Sequence, residues 1–132
     1  AQNRGWIRTA GGRLCHFDHW EPVRGYSPAV QGKKAAQEKF ENKPIRRAFT
    51  HKALNRLIQG SAADMTKLAM REIWKEGIVP MHQMHDELDF SFESESDGNK
   101  CKEIMENCMK LEVPILVDAE YGNTWADAVH KW

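Results

Sequence analysis

No run of apolar residues in this sequence approaches the roughly 18 needed to cross a bilayer, and no charged-then-apolar leader opens it. The expectation is a chain that neither spans a membrane nor is secreted. Cysteine is scarce. Cys15, Cys101 and Cys108 show no CxxC spacing and cannot pair evenly, which argues against a disulfide framework or thiolate zinc site and suits a reducing compartment. Repeats, low-complexity tracts and a domain-sized linker are missing as well. What is present is 132 residues at 41% hydrophobic composition, one domain's worth of chain or less, with enough apolar material for a core.

Net charge is also absent, but the zero hides a division. Residues 1–56 hold 12 Lys and Arg against four Asp and Glu, a net of +8, and the remainder holds 7 against 15, a net of −8. A basic half attracts a polyanion such as nucleic acid, although two solvated faces can segregate in the same way.

Trp6–Thr9 and Leu14–Phe17 are β-prone and flank Gly11-Gly12, the pattern of a hairpin. From His19 to Gln31 the breakers Pro22, Gly25 and Pro28 predict irregular chain, and a short helix is expected over Gly32–Glu41, ended by Asn42-Lys43-Pro44. The longest regular signal starts near Arg46. Leu54, Ile58, Met65, Ala69 and Ile73 recur at helical spacing, widened by Leu57, Leu68 and Trp74, and Gly77 suits the C-terminal cap. Gly60-Ser61 weakens this helix by about 1 kcal/mol against alanine, tolerable where something comes close or the helix bends. Val79–Phe92 has strand character, Asp97-Gly98-Asn99 reads as a turn before an amphipathic helix, and Val113–Ala119 reads as a last strand. The order predicts an α+β fold with an antiparallel sheet.

Within Val79–Phe92, alternation puts Met84, Leu88, Phe90 and Phe92 on one face, together with Asp86. A carboxylate does not belong in that row. The conflict dissolves if two strands meet tightly at His85-Asp86, because Asp86 then stands at a turn tip with Glu87 beside it. Two adjacent carboxylates on a rigid element are stable beside cations, and hard ions such as Mg²⁺ take carboxylate oxygens. Pattern alone leaves the pair open between a metal site and an ordinary surface turn.

Gln59-Gly60-Ser61-Ala62-Ala63-Asp64-Met65-Thr66-Lys67-Leu68-Ala69-Met70, followed by Gln83-Met84-His85-Asp86-Glu87-Leu88, resembles the family A, DNA polymerase I-like group. The second string is similar to that family's motif C, at a palm hairpin, and the first to the helix leading into it. Asn55 stands four residues before Gln59, as in the family pattern. Trp6–Phe17, Asn107–Val117 and Gly122-Asn123-Thr124-Trp125 extend the resemblance over nearly the whole chain. No DYSxxELR-like motif A string and no fingers helix occur, His51 stands where many members have Arg, and the stretch 18–46 looks long.

The resemblance implies that residues 1–132 are the C-terminal palm portion of a phage-like or split polymerase, an incomplete antiparallel palm with one long helix and flanking helices. It implies catalytic Asp86 and Glu87, with Asp86 holding two Mg²⁺, and His85 at the primer terminus. Asn55 and Gln59, with His51 on the same helix face at i, i+4 and i+8, would meet the minor groove of the new duplex, and Arg13 a strand phosphate. Gly60, Ala62 and Ala63 are close-packing positions. The implied partners are primer–template DNA, dNTP and a complementary polymerase chain carrying motif A and the fingers, with no membrane. The implied location is the cytoplasm, or the host's if viral. Two other functions compete: a metal-dependent phosphohydrolase using His82, His85, Asp86 and Glu87, which needs His82 and His85 one helical turn apart, and a non-catalytic DNA-binding scaffold.

Overall fold

The structure, a computed structural model, describes residues 1–131 and contains two compact units, residues 1–64 and the chain from Met65 onward. The α+β expectation holds, with three α-helices and only antiparallel strand pairs among the described residues. Among the described residues the strands make four separate ladders of two or three strands.

In the first unit, β1 (Trp6–Arg8) and β2 (Leu14–His16) form the expected hairpin, with Ile7 opposite Cys15. Gly12 takes φ +89, a backbone conformation only glycine adopts freely, and its N–H reaches Thr9 O at 2.9 Å. The stretch predicted to be irregular contains a strand. β3 (His19–Pro22) runs between β4 (Val30–Gln31) and β5 (Ile45–Arg47), and Pro22, which donates no ladder bond, closes it opposite Ile45. The short helix is α1 (Lys33–Lys39), which buries Ala36 beside a core that includes Phe17, Phe40 and Ala48.

The long helix, α2 (Ala53–Lys75), begins later than its periodicity suggested. Arg46 belongs to β5, and Phe49 takes a left-handed conformation (φ 61, ψ 10) that no helix interior accepts; a 3₁₀ turn, Thr50–Lys52, follows. At the far end Gly77, at φ +82, donates to Trp74 O at 3.0 Å, the expected cap. The apolar stripe is only half right. Ala69 and Ile73 are buried, but Leu54, Ile58 and Trp74 are 67%, 61% and 65% exposed. Over residues 53–64 the partly covered positions include Arg56, Gly60 and Asp64, which meet the β1–β2 hairpin through polar contacts.

In the second unit, Thr66, Ala69 and Ile73 of α2 are buried, as are Gly98 and Cys101. β6 (Pro80–Met84) and β7 (Glu87–Phe90) pair with Met84 opposite Glu87, and the Phe90 and Phe92 rings stack at 6.0 Å as alternation implied. Asp97-Gly98-Asn99 is no turn but the opening of α3 (Glu95–Asn107). The Ser94 side chain accepts from Asp97 N–H and donates to its carboxylate, a capping arrangement that outweighs the glycine. Val113–Ala119 joins no ladder, so the pattern there lacks the partner a strand requires; β8 (Glu120–Tyr121) pairs instead with β9 (His130–Lys131). Among the described residues no helix is long and apolar enough to cross a membrane.

Burial raises the Cys101 and Cys108 thiols above the ordinary cysteine range. Both should therefore stay protonated at neutral pH. Mass spectrometry after iodoacetamide treatment of the folded chain should find Cys101, only 3% exposed, unmodified until denaturant is added. Modification at equal rates in both conditions would contradict its burial.

Candidate functional site

Chemistry-bearing residues gather in two places, one in each unit. In the first, the β1–β2 hairpin locks onto α2. Arg13 Nε pairs with Asp64 Oδ1 at 2.9 Å and its Nη2 donates to Gly60 O at 3.0 Å. The Thr9 hydroxyl donates to Asp64 Oδ2 and accepts from Arg13 N–H at 3.0 Å. Ser61 Oγ accepts from Ala10 N–H at 2.9 Å while donating back to Leu57 O at 2.7 Å. The weak Gly60-Ser61 step is thus where another segment comes close. A Cβ on Gly60 would stand 2.8 Å from Thr9 Cγ2, inside any real contact. Ala62 is exposed and so is not the packing position expected, while Ala63 is half-buried.

Arg13, the expected phosphate contact, is held by these bonds with its side chain half exposed. Asn55 and Gln59 are exposed on α2, one turn apart. His51 is exposed too, but in the preceding 3₁₀ turn and not on the long helix as expected, since Ala53 is the first α-helical residue. Sequence reasoning missed Asp64 and Thr9. The signal was available: Asp64 lies four residues after Gly60, on one helix face.

In the second unit the tip of β6–β7 carries His85, Asp86 and Glu87, all exposed. The loop is two residues long, and His85 adopts φ 56, the left-handed region that a tight hairpin demands of its first loop position. Gln83 Nε2 donates to His85 O at 2.9 Å and braces that turn. Asp86 therefore leaves the apolar row of Leu88 and Phe90, both half-buried. Neither Asp86 nor Glu87 has an ion pair among the described residues. The neighbouring Asp89 does have a partner, His82 Nδ1 at 3.2 Å on the opposite strand. His82 is on a strand and His85 in the turn, so the helical spacing a phosphohydrolase would need is absent. Among the described residues no three His, Cys, Asp or Glu converge to hold a metal ion.

The sequence pattern of DNA polymerase family A matches residues 1–127. A DNA-directed DNA polymerase of Pseudomonas phage M6 is 38% identical over 95% of this chain, which covers 16% of that protein. DNA polymerase I of Mycobacterium leprae is 34% identical over 95% of the chain and 15% of its own length. The thermostable DNA polymerase I of Thermus aquaticus is 32% identical over 80% and 14%. The chain belongs to DNA polymerase family A. It spans about one-sixth of the length of such relatives.

Gly60→Ala offers a direct test of the hairpin lock. Helix propensity alone would make it stabilising by about 1 kcal/mol. Overpacking against Thr9 costs about 1–3 kcal/mol, so net destabilisation is expected in thermal or urea unfolding. In a Thr9→Ser background, which keeps the hydroxyl and removes Cγ2, the same change should become neutral or stabilising. Equal penalties in both backgrounds would show that the close approach is not the cause.

Proposed function

We propose that this chain is the motif C-bearing palm portion of a template-directed DNA polymerase, adding dNTPs to a primer 3′-hydroxyl. The observation that carries the proposal is the exposed Asp86-Glu87 pair on a braced two-residue turn, in a chain of family A and without a cation of its own among the described residues. Two adjacent carboxylates held at a braced turn attract a cation more strongly than either would alone. Carboxylate oxygens are the donors that Mg²⁺ prefers, so Asp86, with Glu87 beside it, fits the ion chemically. When bound, such ions supply charge neutralisation for phosphoryl transfer. The rest of the ligand set comes from outside this chain, as no third ligand converges here among the described residues.

The roles of the other residues follow the same reading. His85, in its left-handed turn, would contact the primer terminus. Asn55 and Gln59 offer amides that hydrogen-bond minor-groove edges or sugars without demanding a sequence, and His51 adds a polar group just before them. Arg13 keeps half its side chain in water for a strand phosphate while Asp64 fixes its direction. The missing carboxylate and the clamp for the triphosphate belong to a complementary segment carrying motif A and the fingers. Synthesis takes place inside the cell, in the host if the source is viral.

Binding of primer–template DNA should weaken steeply with salt, because the basic first unit supplies phosphate contacts. Fluorescence anisotropy at low and moderate salt checks this, and equal affinity at both would contradict it. Asn55→Ala or Gln59→Ala should weaken binding alike across DNA sequences; a loss confined to particular sequences would exclude minor-groove contact.

As an isolated 132-residue polypeptide the chain should extend no primer. Each absent electrostatic group costs on the order of 10²–10³ in rate, and at least two are absent. Mixed with a polypeptide carrying motif A and the fingers, it should regain Mg²⁺-dependent extension, which Asp86→Ala should abolish without preventing association. Extension by the isolated chain that survives Asp86→Ala would overturn the assignment.

A further inference from the structure

The hairpin that carries Asp86 and Glu87 contains two registers. Pro80 stands opposite Phe90, but past an irregularity between Pro80 and His82 the pairs are His82 with Asp89, Gln83 with Leu88 and Met84 with Glu87. If the outer register continued, Met81 would face Asp89, His82 would face Leu88 and Gln83 would face Glu87. The hairpin would then close on a three-residue loop, Met84–Asp86. Hairpins accept loops of two and of three residues, so this slipped form is a real competitor. In it Asp86 leaves the two-residue tip, and β6 turns its other face to the neighbours of β7.

Little in the two strands decides between these forms. The ladder has no third strand among the described residues, and a two-stranded ribbon depends on its cross-strand pairs. Gln83 with Leu88 and Met84 with Glu87 offer no specific attraction. The Gln83 bond to His85 O runs from β6 to its own end, so it shapes the loop without tying one strand to the other. The exception is His82 Nδ1, 3.2 Å from Asp89 Oδ2. A carboxylate accepts, so Nδ1 donates. Only 25% of the Asp89 side chain is exposed, and in the slipped form it would face Met81 and lose its donor. The pair also forms the first rung past the irregularity, where the choice of register is made.

We propose that His82 and Asp89 are a positioning pair, a register lock that keeps Asp86 and Glu87 at the tip of a two-residue turn. They act through the pairing of the strands and not on the ion. The inference rests on the metal reading of Asp86 given above. One cross-strand pair shifts a balance about fivefold at most, which is enough where no other pair separates the two registers.

The test is nuclear magnetic resonance of the purified chain, with Mn²⁺ as the probe ion. The Overhauser contact of Leu88 Hα reports the residue opposite it, Gln83 in the observed register and residue 82 in the slipped one. His82→Val removes the pair and gives the slipped form an apolar contact with Leu88, so the balance should move about tenfold and the second contact should appear. More Mn²⁺ should then be needed to broaden the Asp86 and Glu87 amide signals, in proportion to the fraction slipped. Asp89→Val should act in the same direction, so loss of the fold in one variant leaves the other to decide. His82→Asp combined with Asp89→His restores a pair that only the observed register can form, and both readouts should return to the parent's. A folded single variant that keeps the parent's contacts and Mn²⁺ response would overturn the proposal, as would a double variant that stays slipped. A parent chain whose tip signals ignore Mn²⁺ would instead count against the metal reading, and the Leu88 contacts would decide the lock by themselves.

Discussion

The carboxylate of Asp64 holds the first unit's design together. Its side chain is only 11% exposed, and a charge so placed is costly unless it is paired and hydrogen-bonded. Arg13 supplies the opposite charge and Thr9 a hydroxyl, both from the β1–β2 hairpin, so satisfying one group fixes the hairpin against residues 60–64 of α2. Gly60 permits the approach and Ser61 takes up the Ala10 N–H that the approach brings in. Removing Asp64 would leave Arg13 without its partner, and removing Arg13 would leave a largely covered carboxylate without its counter-charge. The positions of Asn55 and Gln59 on the same helix are steadied by this contact.

The same economy changes how the basic half should be counted. Twelve Lys and Arg in residues 1–56 suggest a strong positive surface. Yet Arg13 faces Asp64, Arg46 faces Glu21, and Arg47 is folded onto Trp20 and Phe17 O. Arg56 lies 4.9 Å from the Phe17 ring centroid. Adjacent Arg46 and Arg47 show the division most clearly, since strand alternation sends one outward and the other toward the unit's interior. Several of the guanidinium groups counted in the sequence are therefore engaged in holding the fold.

What the sequence disclosed was local. The Gly11-Gly12 hairpin, the turn at His85-Asp86, the cap at Gly77 and the close approach at Gly60 each rest on a few contiguous residues with a single physical meaning. What it concealed depended on distant partners. β3 looks irregular because its breakers are local while its partner, β5, lies some 25 residues away in register. Leu54 and Ile58 looked like core because they repeat at helical spacing, but polar contacts took the neighbouring face. Val113–Ala119 has the right alternation and no described strand beside it. At the candidate site, the acids were legible from their conflict with alternation, whereas the partners of Asp64, on a hairpin far away in sequence, were not.

The exposed large side chains have a consequence for handling the polypeptide in solution. Leu54, Ile58, Trp74, Met81, Leu116 and Trp125 all stand more than half in water, and the net charge is zero, so long-range repulsion between molecules is weak. Attraction between such groups is entropic near room temperature and strengthens on warming from the cold. Colloidal behaviour should therefore be governed by temperature and concentration more than by salt. A cold, dilute preparation is the state in which this chain's own interactions are least confused with those between copies.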